Sequence, residues 1–181
     1  MIGDAASHGT GKPWTVRQPS RRWVGKKTSP NPTDRGKLGV KRSVQTDARG
    51  VPIGVAIAGA SVHDQKLFRA TLRSQPIRCP KSRSRKHKQH LCLDKGYCGK
   101  PVAAYAQRCG YVLHVPPKGS NKPQKQHRQG KARRWVVEVS HSWTNRARRL
   151  LTRWEKKADN YLAFIYLQFA YIALRQAKVL G

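Results

Sequence analysis

The sequence predicts a mixed α/β fold, a small sheet flanked by helices. Three observations carry this reading. Two strand-like runs, Val40–Ala48 and Val51–Ala58, flank a turn at Asp47-Ala48-Arg49-Gly50. A short apolar run, residues 89–94, is followed by a helical stretch and a further strand at Tyr111–Val115. From about Ala132 onward the apolar residues recur at helical spacing. The resulting order is hairpin, helix, strand, helix, strand, helices, which reads as α/β or α+β.

Residues 1–36 hold Gly, Pro, Ser, Thr, Trp and Arg without a sustained period, so they read as an irregular or disordered segment. Val40–Ala48 suits a strand, and Pro52 stands near the start of its hairpin partner, where a missing N–H is tolerated. Ser61-Val62-His63-Asp64 opens a helix, with Ser61 as N-cap and Asp64 completing the cap. Leu67, Phe68, Thr71 and Leu72 then face the core. Residues 76–88 form a basic loop with Pro76 and Pro80. Residues 89–94 are a strand ending at Asp94. Lys100–Cys109 is a short helix stopped by Gly110. Residues 116–131 form a second basic loop, rich in Pro and Gly. Trp135, Val136, Trp143, Leu150, Leu151 and Trp154 supply the apolar faces that follow, with Trp135 and Trp154 read as core. Asn160–Lys178 closes the chain as a helix that reads as buried.

The chain has 181 residues, 38 Lys and Arg, 8 Asp and Glu, and a formal net charge of +30. Such a balance calls for a polyanionic partner, because each cation that meets a phosphate releases a condensed counterion. An apolar content of 38% excludes a wholly disordered basic tail. Residues 161–174, the longest apolar run, fall short of the ~20 residues that span a bilayer. The four cysteines, Cys79, Cys92, Cys98 and Cys109, include no Cys-x-x-Cys pair. His87, His90, Cys92 and Cys98 lie close enough in sequence to raise a metal cluster. Buried structural thiols, with Cys92 pointing inward from its strand, are the favoured reading, and they fit a reducing cytoplasm.

Against this basic background two acids stand in apolar segments, Asp94 in Leu91-Cys92-Leu93-Asp94 and Glu138 in Trp135-Val136-Val137-Glu138. Sites of α/β sheets commonly lie at the carboxyl ends of strands, where Asp94 stands. Phosphodiester cleavage needs an activated oxygen nucleophile and a stabilised leaving oxygen. Hard divalent ions held by carboxylates supply both. The residues alone leave a second reading open, in which Asp94 pairs with Lys95 or Lys41 and Glu138 with Arg134.

Several ordered motifs carry a resemblance. Ser29-Pro30-Asn31-Pro32-Thr33-Asp34-Arg35-Gly36-Lys37-Leu38-Gly39, Val51-Pro52-Ile53-Gly54 and Val62-His63-Asp64 come first. Leu91-Cys92-Leu93-Asp94-Lys95-Gly96-Tyr97 follows. Arg133-Arg134-Trp135-Val136-Val137-Glu138 comes next, with His141-Ser142-Trp143, Asn145-Arg146, Arg148-Arg149-Leu150 and Asn160-Tyr161. Over roughly residues 25–175 the chain resembles DDE-type insertion-sequence transposases, the fifth insertion-sequence type among them. The resemblance implies an RNase H-like fold over residues 37–181. It implies metal-dependent DNA cleavage and strand transfer at transposon ends, with Mg²⁺ or Mn²⁺ as cofactor. Asp94 becomes the second catalytic, metal-binding acid and Glu138 the third. Lys41, Lys95, Arg134, Trp143, Arg146 and Arg149 become candidate DNA contacts. The partners implied are terminal inverted repeats, target DNA and a second copy of the chain, with no membrane. The alternative is a basic DNA-binding protein without catalysis.

Two departures from that family stand out. Glu138 is followed by Val139, where the family has Arg. The strand that carries the family's first catalytic Asp, and the Gly-Gly turn after it, are not legible upstream of residue 29. Asp4 is the only acid there, in a stretch without a clear apolar strand, so the sheet is expected to lack its first strand. A shifted reading frame over residues 1–24, joined near the Lys26-Lys27 codons, would account for this.

Overall fold

A computed structural model describes residues 2–4, 25, 27–32, 35–76, 89–115 and 134–179; for residues 2–4, 95, 134 and 135 it describes the backbone. The basic loops expected at 76–88 and 116–131 lie, apart from Pro76, outside the described residues, as do Cys79, His87 and most of the irregular segment. The described elements are a mixed α/β set. The strands are β1 (Ile2–Asp4), β2 (Ser29–Pro30), β3 (Leu38–Thr46), β4 (Pro52–Gly59), β5 (Gln89–Cys92) and β6 (Tyr111–His114). The helices are α1 (Asp64–Arg73), α2 (Lys100–Arg108), α3 (Arg134–Asn145), α4 (Arg148–Leu151) and α5 (Ala158–Gln176).

The central strand is β3, which pairs antiparallel with β1, β2 and β4. The β3–β4 hairpin forms where the sequence places it. Asp47 Oδ1 accepts hydrogen bonds from the N–H groups of Arg49 and Val51, both at 2.8 Å, which fixes the turn. Gly50 completes the turn at φ +90°, a conformation costly for other residues. A Cβ there would lie 3.0 Å from the Val136 carbonyl oxygen, so the hairpin tip rests directly on α3. β1 and β2 fall inside the segment read as irregular, and β1 supplies an upstream strand where the sequence shows none. Strands of three and two residues are too short to display a period, so only their pairing reveals them.

β5 and β6 form a separate parallel pair, with Leu91 opposite Leu113 and Cys92 opposite His114. Leu91 is fully buried, while Cys92 is half-buried. Side chains alternate along a strand. The inward expectation for Cys92 is therefore corrected: Leu91 takes the inner position, and Cys92 shares the outer face with His90 and His114. Those two rings stack at 5.0 Å and approach to 2.7 Å between Nδ1 and Nε2. Cys92, Cys98 and Cys109 are free thiols.

α1 joins the two sheets. Its Phe68 and Leu72 pack with Leu91, Leu93, Tyr97, Val102 and Ala106. A second core forms from Val44, Val55 and Ile57 of the large sheet with Leu150, Ala158, Tyr161, Ile165 and Phe169. Leu67, Phe68, Thr71 and Leu72 are buried as the helical spacing predicts. The cap differs. His63, not Ser61, is the N-cap, and its Nδ1 accepts from the Gln65 N–H at 3.3 Å. Ser61 instead bonds through its N–H and Oγ to Ser29 Oγ at 2.9 and 2.8 Å, tying β2 to the end of β4. Trp154 is also a correction: it is 67% exposed, because it lies between α4 and α5 where no element covers it. The Trp135 side chain lies outside the described residues. No helix among the described residues is long and apolar enough to cross a membrane.

Candidate active site

Asp94 sits just past β5. The strand ladder runs one residue beyond Cys92, with the Leu93 N–H donating to the His114 carbonyl at 2.9 Å. The chain then turns through a 3₁₀ segment, Lys95–Tyr97, closed by the Tyr97 N–H donating to the Asp94 carbonyl at 3.0 Å. Asp94 is exposed and Tyr97 buried. This contrast explains the Asp-Lys-Gly-Tyr order: the tyrosine anchors the turn that presents the acid.

The anchor points at β3. Tyr97 Oη lies 3.2 Å from Ser43 Oγ, and Ser43 Oγ lies 2.9 Å from Thr71 Oγ1. Thr71 Oγ1 is also 2.9 Å from the Leu67 carbonyl. A carbonyl can only accept, and Thr71 has one hydroxyl proton. Thr71 Oγ1 shares that proton between the Leu67 carbonyl and Ser43 Oγ, and the Ser43 and Tyr97 hydroxyls meet with either able to donate. Ser43 is also the residue opposite Asp4 in the β1–β3 register. Tyr97 therefore ties the Asp94 turn to the sheet at the level of Asp4.

Gly96 serves the same turn by its small size. A Cβ there would lie 3.1 Å from Asp64 Oδ2. Asp64 is held by Lys41, whose Nζ donates to Asp64 Oδ1 at 2.7 Å and to the Val62 carbonyl at 2.9 Å. Their side chains are 12% and 23% exposed. Lys41, a candidate DNA contact from the sequence, is thus engaged in holding the start of α1. Asp64 is an ion-pair partner in the first turn rather than part of a capping box. Gln65 Nε2 donates to the Cys98 carbonyl at 2.8 Å and fixes the far side of the turn.

Glu138 rides on α3. Val136, Val137, Ser140 and Thr144 are buried, while Glu138 is exposed. α3 packs against β1 and β3. Arg42 on β3 fixes the far end of the helix, with Nη2 donating to Asn145 Oδ1 at 2.8 Å. The fold thus sets β1, the β5 turn and α3, which carry Asp4, Asp94 and Glu138, around β3. Among the described residues no three His, Cys, Asp or Glu side chains converge as a metal cluster; the Asp4 side chain is outside them.

The remaining candidates spread over α3 and beyond. Lys95 and Arg134 are placed by backbone only. Trp143 is half-buried near Gly50, and its carbonyl accepts from Gln168 Nε2 at 3.3 Å. Arg146 is exposed. Arg149 donates to Glu155 Oε1 at 2.8 Å and lies over the Phe164 ring at 4.5 Å. Sequence reasoning missed Ser43, Thr71 and Tyr97 as positioning residues. The tyrosine closing Asp-Lys-Gly-Tyr was the available signal for the last.

Exposed carboxylates at Asp94, just past a strand, and at Glu138, on a helix, in a chain of net charge +30 fit a class of domains that act on nucleic acids. Residues 91–175 match the family model described as a transposase DDE domain. The chain is also 35% identical over 150 residues to the "Putative transposase for insertion sequence element IS402" of Burkholderia cepacia, covering 82% of this chain and 69% of that protein. No solved structure matches significantly. The chain belongs to the DDE-type insertion-sequence transposases.

Proposed function

We propose that this chain performs metal-dependent DNA cleavage and strand transfer at insertion-sequence ends, using Asp4, Asp94 and Glu138 as its acids. The observation that carries the reading is the Tyr97–Ser43 contact, which joins the Asp94 turn to the β3 position opposite Asp4. The element order, four antiparallel strands including the two-residue β2, helix, strand, helix, parallel strand and helices, is compatible with an RNase H-like arrangement.

The donor set is all carboxylate, which suits a hard ion such as Mg²⁺ or Mn²⁺. Such ions, when bound, lower the pKa of an attacking water and stabilise the leaving oxygen. Asp94 and Glu138 would hold them from the β5 turn and from α3. Arg146, exposed just past α3, would meet a phosphate. Lys95 and Arg134 adjoin the two acids in sequence and would add charge there. The net charge of +30 supports a DNA partner.

The test is nicking of DNA carrying the element's terminal repeats, with Mg²⁺ or Mn²⁺, alongside DNA binding. Asp94→Ala, Glu138→Ala and Asp4→Ala each abolish nicking and leave binding intact. A wild-type chain that binds but never nicks with either ion would favour a non-catalytic DNA-binding protein. Full nicking by Asp4→Ala would remove Asp4 from the site and leave the other two acids in place.

A further inference from the structure

α5 lacks a polar face. It buries Ala158, Tyr161, Ile165, Phe169 and Ile172, yet its opposite side is also apolar. Leu167 is 68% exposed, Tyr171 47% and Leu174 43%, with Tyr166 also exposed. The expectation of a wholly buried helix therefore holds for one face only. A helix that is apolar all round needs a cover on each side.

The outer side is patterned. Ala163, Leu167, Ala170, Leu174 and Ala177 follow one another at spacings of four, three, four and three residues, and all are exposed. That is the heptad seam of a two-helix coiled coil. The inner face does not share its alternation of small and large residues. Charge narrows the occupant. From Ala158 to Leu174 the only charged side chain is Asp159, in a chain with 38 Lys and Arg. DNA would find no cation there. Another copy of the chain, repelled by like charge elsewhere, would meet none along this face.

We propose that a second copy of this chain covers α5, with the two helices antiparallel about a two-fold axis between Gln168 and Phe169. In that register Leu167 of one copy meets Ala170 of the other, and Leu174 meets Ala163. Each large residue thus fills the space left by a small one. Tyr166 faces Tyr171. A two-fold interface demands this self-complementarity, because one patch must fit itself. The alanines allow the helix axes to approach to about 8 Å, the close end of helix packing. The seam is independent of the proposed chemistry: a dimer without nicking leaves it standing, and a fully active monomer removes it.

Sedimentation of the full chain without DNA, over a concentration series at physiological salt, tests the proposal. The expected result is a reversible monomer–dimer equilibrium. Leu167→Glu, at an exposed position, should weaken association by about tenfold or more with an unchanged thermal melt. Leu167→Ala should also weaken it, and Ala170→Leu in the same chain should restore it. That rescue is specific to the antiparallel register. A chain that stays monomeric throughout overturns the proposal. So does a dimer that Leu167→Glu leaves intact, or a size exchange without rescue.

Discussion

Replacing Tyr97 by Phe removes one hydroxyl from the link between the Asp94 turn and β3. The size of the effect follows from the contacts each hydroxyl makes. Tyr97→Phe removes one contact and leaves Ser43 bonded to Thr71. The 3.2 Å separation is long for a bond between hydroxyls. The loss should therefore be about 0.5–1 kcal/mol. Ser43→Ala is different. It removes the contacts with both Tyr97 and Thr71 from a fully buried position. That cost should be about 2 kcal/mol. The Tyr97–Ser43 contact is lost in either single variant and only once in the double, so the two losses should fall short of additivity by about 0.5–1 kcal/mol. Urea unfolding followed by circular dichroism measures all three. The reasoning fails if Tyr97→Phe costs more than Ser43→Ala, because Ser43 would then not be the joint between Tyr97 and Thr71. It also fails if the losses add within roughly 0.3 kcal/mol, because the contact would then couple nothing.

Two other outcomes are expected. Lys41→Met should lower stability by about 1–2 kcal/mol, because Asp64 loses its partly buried cation, while the salt dependence of DNA binding stays unchanged; a shallower salt slope would return Lys41 to the DNA surface. Tyr161 is buried with its hydroxyl donating to the Leu150 carbonyl at 3.1 Å, and burial raises its pKa above the ordinary 10.0. The native state then keeps its proton longer than the unfolded chain, so this contribution is present below pH 10 and is lost as pH rises through the higher folded value. Tyr161→Phe should flatten that alkaline decline, as pH-dependent urea melts would show, and an unaltered slope would contradict it.

Much of this scaffold was legible where several signals coincide. The Asp47–Gly50 turn combines an Asx residue with a glycine between two apolar runs. Leu67, Phe68, Thr71 and Leu72 show helical spacing. Asp94 ends a run of apolar residues. What escaped is non-local. The pairing of Ile2–Asp4 depends on β3, forty residues away, and its own three residues carry no pattern. The Lys41–Asp64 pair joins a strand to a helix start, and nothing in either segment announces it. Trp154 was read inward because tryptophan favours burial, but its place between two helices leaves it uncovered. The outer heptad of α5 was hidden by the helix's own hydrophobicity, since a run apolar all round gives no contrast between faces. Ser43 illustrates the limit for the site: a serine in a strand has no visible role until register puts it between Asp4 and Tyr97.

The hairpin tip at Gly50 has a bearing on how this domain can change. Exposed turns between strands are ordinarily where chains accept insertions, tags and length variation. Here the tip abuts the Val136 backbone, two residues before Glu138, and lies close to Trp143. Any residue added between Asp47 and Val51 would press on the helix that carries Glu138. Length variation at this turn is therefore coupled to the proposed site, and a label or fusion placed there would disturb that helix rather than spare it.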